Sequence, residues 1–141
     1  MPVAIVTAGL CAGCLKLSPD VYLETIALTM NDRANENNPV AVDLLVINEE
    51  PLLEELLKLS ARDWFQKRAQ YIRDFPTGID LPSWELVPGS AVPPTPIEVR
   101  RRARGAVVFA NYYAPGAHRL RLPDQSKVRV LLGEKGFTVA Q

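Results

Sequence analysis

The chain has 141 residues, 48% of them hydrophobic, with a mean hydropathy of zero and no net charge at neutral pH. This length suits one domain with a substantial core, and no apolar run approaches the roughly 20 residues that a membrane-spanning helix needs. The charge is nevertheless uneven: residues 1–85 hold 13 acidic and 7 basic side chains, a net −6, and residues 86–141 hold 3 acidic and 9 basic, a net +6.

The chain begins with a short apolar run that ends in two cysteines. Val3 to Ala12 contains one polar residue and leads into Cys11-Ala12-Gly13-Cys14. Signal peptidases for lipoproteins cut before a cysteine that follows small residues, so we predict a lipoprotein signal peptide at residues 1–13 and lipidation of Cys14. Acyl chains on that thiol would contribute about 0.8 kcal/mol per buried CH₂ to membrane binding. The positive charge usual before such a run is missing, which a start codon further upstream would explain.

Two other interpretations of these cysteines remain open. Cys11 and Cys14 have the spacing of a redox Cys-x-x-Cys pair, which needs a helix after it, but Pro19 would interrupt such a helix early. The third interpretation is an ordinary buried strand with two inert thiols. A structural zinc site is not expected, because the chain has only these two cysteines and one histidine.

Residues 14–20 are predicted to be a tether, and residues 21–141 one folded domain. Val21 to Met30 and Val40 to Ile47 are rich in β-branched and apolar residues at alternate positions, so we predict two strands joined as a hairpin. The second strand is expected to line one face with four side chains, which are Val40, Val42, Leu44 and Val46.

The loop between these two strands is polar and unusually long. Its nine residues are Asn31, Asp32, Arg33, Ala34, Asn35, Glu36, Asn37, Asn38 and Pro39. Asn, Asp and Pro are turn formers, but a hairpin needs fewer residues than this. A loop of such length is often functional.

The segment from about residue 50 to residue 75 is the only one with a helical pattern. Pro51 suits a helix start, and leucines recur after it at helical spacing. Ser60-Ala61-Arg62-Asp63 resembles a capping box, which predicts that a second helix begins there. On that helix a broad face of core-packing residues is expected, comprising Trp64, Phe65, Arg68 and Ile72.

From Trp84 onward the sequence alternates short apolar runs with turn residues. The predicted strands are Trp84–Val87, an edge strand at Ile97–Arg100, Gly105–Tyr113, His118–Leu122, Lys127–Leu132 and Phe137–Val139. The stretch Ala91–Pro96 is interpreted as a Pro-rich crossing, which cannot be a central strand because three of its residues lack an N–H. Seven or so short strands about ten residues apart indicate an all-β protein with a β-sandwich fold.

No group in the sequence points to catalysis. The single histidine, His118, has no nucleophilic partner in a recognised setting, and the carboxylate pairs Glu49-Glu50 and Glu54-Glu55 fit a solvated helix start. No phosphate loop or metal-spaced cluster is present. We therefore expect no enzymatic activity, no metal and no cofactor.

One dense basic patch is formed by Arg100-Arg101-Arg102 with Arg104. Because aromatic residues are not interleaved with these arginines and the net charge is zero, we do not expect nucleic acid as a partner. A solvated sheet edge fits the patch best. Anionic lipid headgroups or an acidic partner are alternatives.

The order of these parts resembles that of a known lipoprotein family. A lipidated cysteine, a strand, a polar loop, a strand, a helical segment and then four or five strands is similar to the outer-membrane lipoprotein of the bacterial type VI secretion system, the TssJ family (also called SciN or VasD). Leu86-Val87-Pro88-Gly89 resembles the strand-ending Pro-Gly turn of that family, and Gly105 to Tyr112 resembles its central apolar strand. His118–Leu122 and Val128–Leu132 are similar to its next two strands.

This resemblance implies a transthyretin-like two-sheet β-sandwich with a helical insertion between the second and third strands. Members of the family are tethered to the periplasmic face of the outer membrane, here through Cys14. They bind the periplasmic C-terminal domain of the inner-membrane protein TssM with the loop between their first two strands, which is Asn31 to Pro39 here. In many bacteria an Asp after the lipidated cysteine retains the protein at the inner membrane, so Leu15 implies sorting to the outer membrane.

Two other functions remain open. The chain could be a pilotin or another envelope-assembly lipoprotein, with the same lipidation and a different partner. It could also be a small enzyme or ligand-binding periplasmic sandwich that uses a cleft around His118 and Tyr112.

Overall fold

The computed structural model describes residues 21–99 and 102–140. Within them lie the strands β1 (Thr25–Met30), β2 (Val40–Ile47), β3 (Ile79–Asp80), β4 (Ser83–Leu86), β5 (Ala91–Pro96), β6 (Gly105–Ala110), β7 (Arg119–Arg121), β8 (Lys127–Leu132) and β9 (Phe137–Ala140). Two helices, α1 (Glu50–Leu56) and α2 (Ala61–Asp74), lie between β2 and β3. The predicted signal peptide, Cys14 and the predicted tether lie outside the described residues.

The strands form two sheets that pack face to face. A four-stranded sheet has the order β5-β1-β8-β9, and a five-stranded sheet has the order β3-β2-β6-β7 with β4 also paired to β2. Buried side chains from both sheets form one hydrophobic cluster between them. The predicted all-β fold, a two-sheet sandwich, is therefore confirmed, and α1 and α2 lie between β2 and β3.

The predicted hairpin of the first two strands is wrong, because β1 and β2 belong to different sheets. β1 pairs with β5 and β8, whereas β2 pairs with β3, β4 and β6. Sheets packed face to face lie about 10 Å apart, and a hairpin between neighbouring strands needs only a few residues. The nine-residue loop is long because it crosses from one sheet to the other.

β2 is buried on both faces, which accounts for its nearly continuous apolar sequence. Its predicted inward face is confirmed, since the cluster between the sheets contains Val40, Val42, Leu44 and Val46. Leu45 and Ile47 point the other way, into a second cluster beneath α1 and α2. β2 thus needs apolar residues at almost every position, a pattern more usual for a strand in a parallel sheet.

The two helices cover the outer face of the five-stranded sheet. Leu52, Leu53 and Leu56 of α1 and Trp64 of α2 are buried against β2 and β6. The face predicted for α2 is narrower than expected, because Ile72 is 41% exposed. Among the described residues, no helix has the length and apolar character needed to cross a membrane.

The predicted capping box starts α2. Ser60 Oγ accepts a hydrogen bond from the Asp63 N–H at 3.1 Å, and the Asp63 carboxylate accepts one from the Ser60 N–H at 3.4 Å. The hydrogen bonds from the Ser60 side chain and backbone hold the pKa of Asp63 below its usual value. These contacts satisfy two N–H groups that a helix start otherwise leaves unpaired.

The later strands largely follow the predicted order. The interpretation of Ala91–Pro96 as a crossing is wrong, because the stretch forms β5, which lies at a sheet edge as its prolines require. The edge strand predicted at Ile97–Arg100 is wrong for the described residues Ile97 to Val99, because Ile97 makes a single bond, to Glu24 O at 2.8 Å, and then leaves the sheet. β6 is buried throughout, as predicted, and ends at Ala110.

Candidate functional site

The candidate loop, Asn31–Pro39, lies at one end of the sandwich, hereafter the loop end. Four connections meet there: this loop, the β4–β5 turn, the β6–β7 loop and the β8–β9 turn. Most side chains of the loop Asn31–Pro39 are exposed to solvent, namely Asn31, Asp32, Arg33, Glu36, Asn37 and Pro39. Ala34 and Asn35 are buried, so the loop is attached to the domain at its centre and presents its other residues outward.

The loop backbone makes a left-handed turn. Asn35, Glu36 and Asn37 have φ angles of 50°, 56° and 62°. This conformation costs a residue with a side chain roughly 1–2 kcal/mol, less for Asn, whose short side chain can bond locally. Such a run persists only where neighbouring contacts enforce it. The exposed tip at Glu36 and Asn37 is therefore held in one shape by the residues around it.

Asn35 makes the contacts that enforce this shape. Its Oδ1 accepts a hydrogen bond from the Tyr113 N–H at 2.7 Å, and its Nδ2 donates to Pro39 O at 3.0 Å. The Asn35 backbone N–H donates to Glu134 O at 2.9 Å. With 2% of its surface exposed, Asn35 ties the loop to the β6–β7 loop and to the β8–β9 turn. Its polar atoms are satisfied within the protein, which fixes the loop before any partner arrives.

The first residues of the loop pack on the β4–β5 turn. Gly89 has a φ of 78° and donates its N–H to Met30 O at 3.1 Å. A Cβ atom on Gly89 would lie 2.6 Å from Asp32 Oδ1, so glycine permits the close approach. The Pro88-Gly89 turn noted in the sequence therefore supports the loop directly.

Charges at the loop tip are mostly available to a partner. Arg33 forms an ion pair with Glu134 at 3.1 Å, and both side chains are more than half exposed, so the pair contributes little to stability. Neither this pair nor the pair between Arg68 and Asp43 involves Asp32 or Glu36. The loop tip thus presents two carboxylates and the Asn37 amide on a fixed backbone.

Two large apolar side chains flank this polar tip. Val87, in the β4–β5 turn, is 55% exposed, and Tyr113, in the β6–β7 loop, is 60% exposed. Exposed aromatic residues beside fixed polar groups are typical of protein-binding surfaces. The length and polarity of the loop identify it in the sequence, but neither Val87 nor Tyr113 is predicted as part of the site. They carry no local signal, because only the fold brings them to the loop end.

The alternative cleft around His118 and Tyr112 also exists, with a volume of about 340 Å³. The His118 ring stacks on Tyr112, with centroids 5.0 Å apart, and its Nε2 is 2.7 Å from Ala114 O. A carbonyl only accepts, so Nε2 carries the proton in that bond. His118 precedes β7 with a φ of 45°, rather than lying on a strand as predicted.

Two other polar groups of this cleft, Tyr112 Oη and Ser60 Oγ, have structural partners as well. Tyr112 Oη lies 3.0 Å from both Gly133 O and Gly136 O, and burial raises the pKa of Tyr112 to about 12. Ser60 Oγ donates to Asp63 at 2.8 Å and caps α2. These contacts hold loops and a helix in place, and none of them activates a nucleophile.

Neither metal ligands nor the basic patch forms a further candidate site among the described residues. No group of three or more potential metal ligands occurs within residues 21–99 and 102–140. Of the predicted basic patch, Arg102 and Arg104 are described, and both have interaction partners within the fold. Arg100 and Arg101 lie outside the described residues.

No protein-family profile and no curated protein matches the chain. Solved type VI secretion proteins do have its fold. The T6SS lipoprotein TssJ1 from Pseudomonas aeruginosa is similar with a TM-score of 0.62 and 15% identity, over 86% of this chain and 96% of that chain. Lip from Serratia marcescens, a membrane-bound component of the type VI secretion system, is similar with a TM-score of 0.58 and 14% identity, over 88% of this chain and 99% of that chain.

A third similar chain comes from the structure of the T6SS protein TssM C-terminal domain (869-1107) from EAEC. It gives a TM-score of 0.59 and 13% identity, over 83% of this chain and 99% of that chain. Identities this low establish the fold alone, and the chain has the β-sandwich fold of these type VI secretion lipoproteins.

Proposed function

We propose that this protein is a non-enzymatic lipoprotein that anchors a type VI secretion membrane complex to the outer membrane. In this proposal acyl chains on Cys14 hold it to the periplasmic face of that membrane. The loop Asn31–Pro39 binds the periplasmic domain of a TssM-like inner-membrane protein. The observation that carries the proposal is a fixed, exposed loop on a fold shared with type VI secretion lipoproteins.

The geometry of the loop supports binding more than catalysis. Its tip is held by buried Asn35, so little conformational entropy would be lost when a partner docks. Around the tip, Val87 and Tyr113 offer apolar area, and Asp32 and Glu36 offer charge. Similarity to a chain in the structure of the T6SS protein TssM C-terminal domain, together with similarity to T6SS lipoproteins, points to a partner within the type VI secretion membrane complex.

The direction of β1 is consistent with an anchor at one end and a binding loop at the other. Val21 bridges to Ala103, just before β6 begins, and Thr25 lies opposite Lys127 at the start of β8. From there β1 runs to Met30 at the loop end. A tether leading to Val21 would therefore arrive at the end of the sandwich opposite the loop, which would face away from the membrane.

The partner-binding role is tested by reversing the charge of the loop tip. The double variant Asp32→Lys/Glu36→Lys is expected to weaken binding to the periplasmic domain of TssM from the same bacterium by roughly tenfold or more, since both carboxylates would lie in the contact. Biolayer interferometry measures the Kd. The control variant Glu54→Lys/Asp74→Lys makes the same charge change at exposed positions on the helices and should bind normally. A loop variant that binds as tightly as wild type would refute the role of this loop.

The anchor is tested by metabolic labelling with an alkyne fatty acid. Cys14→Ser is expected to abolish both the label and the recovery of the protein with membranes, because a single thiol would carry the lipid. Cys11→Ser is the matched control, three residues away, and should remain labelled. Label and membrane association that survive in Cys14→Ser would show that the lipid is attached elsewhere or not at all.

A further inference from the structure

Three of the four strand edges in the described sandwich are protected against pairing with another chain. β5 contains three prolines, β7 has three residues of which Arg119 and Arg121 are charged, and β3 and β4 are short pieces with Pro82 between them. Proline, charge and short length are the devices by which natural sheets block their edges. β9, with the sequence Phe-Thr-Val-Ala, is also short, but it contains neither a proline nor a charged side chain.

The backbone groups of β9 that face the open edge can be identified from its register. The β8–β9 turn closes with a hydrogen bond from the Gly133 N–H to Gly136 O at 2.8 Å. In an antiparallel pair, every second residue exchanges backbone hydrogen bonds with the neighbouring strand. Gly136 is such a residue, so Thr138 and Ala140 also form hydrogen bonds with β8. Phe137 and Val139 therefore direct their N–H and C=O groups away from β8. Within residues 21–99 and 102–140 these four groups have no backbone partner.

The outer face next to this edge is cationic. The four strands of this sheet contain two charged residues, Lys127 and Arg129, and both are exposed on the outer face. Arg129 pairs with Ala140 of β9, whose side chain is small. A recess of about 360 Å³ lies beside them, with Ala27 and Pro94 in its opposite wall. A strand added to β9 would lie about 10 Å from β8, within reach of the Arg129 side chain across Ala140.

We propose that the open edge of β9 binds an extended segment of a partner protein, which adds a fifth strand to the four-stranded sheet and carries acidic side chains on its outward face. The N–H and C=O groups of Phe137 and Val139 supply two donors and two acceptors for this pairing. Backbone hydrogen bonds of this kind hold the added segment in β-strand addition. Lys127 and Arg129 select the acidic segment. A second copy of this chain does not fit, because pairing β9 with β9 would bring four cations to one face without an acid from either sheet.

The edge is tested with two synthetic eight-residue peptides, one alternating Val and Glu and the other alternating Val and Lys. Amide hydrogen exchange is followed by NMR. In the free protein the Thr138 and Ala140 amides should exchange slowly, and those of Phe137 and Val139 rapidly. The Glu peptide should slow exchange at Phe137 and Val139 by roughly tenfold or more, and the Lys peptide should not. No protection with either peptide overturns the proposal, and equal protection with both overturns its acidic specificity.

Two variants separate backbone pairing from side-chain effects. Val139→Pro removes an N–H that β8 does not use, whereas Val139→Ala removes only side-chain atoms; the Glu peptide should bind Val139→Ala and fail to bind Val139→Pro. Arg129→Glu should weaken Glu-peptide binding, and the control Arg73→Glu, exposed on α2, should not.

Sedimentation equilibrium should show that the protein is a monomer. A dimer that forms in the wild type and is lost in Val139→Pro would overturn the choice of partner. None of these results depends on Asn31–Pro39, so the proposal is tested separately from TssM binding.

Discussion

Trp64→Ala should lower the free energy of unfolding by about 3–5 kcal/mol, the usual cost of removing a large buried aromatic side chain. The Trp64 side chain is fully buried between α2 and the five-stranded sheet and stacks on Phe109, with ring centroids 5.5 Å apart. Its Nε1–H also donates to Asp43 Oδ2 at 2.8 Å. Urea unfolding followed by circular dichroism measures the loss.

The hydrogen bond and the buried volume can be separated with Trp64→Phe. This variant keeps most of the ring but leaves Asp43, which is 1% exposed, with Arg68 as its remaining partner at 3.3 Å. We expect a loss of about 1–3 kcal/mol, the cost of leaving a buried polar group short of one hydrogen bond. The matched control is Trp84→Phe, a partly exposed tryptophan on β4, for which a smaller loss is expected. If Trp64→Phe were no more harmful than Trp84→Phe, Asp43 would not hold α2 on the sheet.

Asp43 shows why this part of the fold is hard to predict from sequence. Within Val40–Ile47 a lone carboxylate interrupts an apolar run, and the pattern alone gives no reason for it. Its partners, Trp64 and Arg68, are 21 and 25 residues away and lie on one face of α2, where the sequence indicates ordinary core packing. The helix itself was predictable, because its capping box is a local signal.

For the strands as well, local features were predictable from the sequence and distant pairings were not. β2 and β8 begin and end where predicted, since alternating apolar residues report directly on which side chains are buried. The assignment of β1 to a hairpin with β2 failed because sheet membership depends on distant partners. β1 lies parallel to β8, which pairs Thr25 with Lys127, about a hundred residues further along the chain. A local pattern contains no information about that pairing.

The loop was predictable in place but not in shape. Length and composition identified Asn31–Pro39 as a candidate site, since polar turn formers over nine residues exceed what a connection needs. Its shape depends on the bond between Asn35 and Tyr113, which are 78 residues apart. Four Asn residues in one loop look alike in sequence, and only the fold shows that Asn35 is the buried one.

Asn35→Ala should therefore weaken binding to the TssM periplasmic domain more than any other single substitution in the loop. The change removes the side-chain bonds to Tyr113 and Pro39 and places an alanine at a φ of 50°, where a Cβ is disfavoured. A loop freed in this way must be ordered again on binding. If that ordering costs roughly 2–3 kcal/mol, the Kd rises about 30–150-fold. The loss should appear even though Asn35, being buried, is not expected to touch the partner.

The matched control for this prediction is Asn48→Ala. Asn48 follows β2 at the opposite end of the sandwich and donates from Nδ2 to Thr77 O at 2.7 Å, so the variant deletes the same amide and a comparable bond. It should bind the TssM domain normally. Circular dichroism should show both variants folded, and the amides of residues 31–39 should exchange faster in Asn35→Ala alone. Normal affinity in Asn35→Ala, with the loop amides exchanging faster, would mean that the partner does not require the preformed loop.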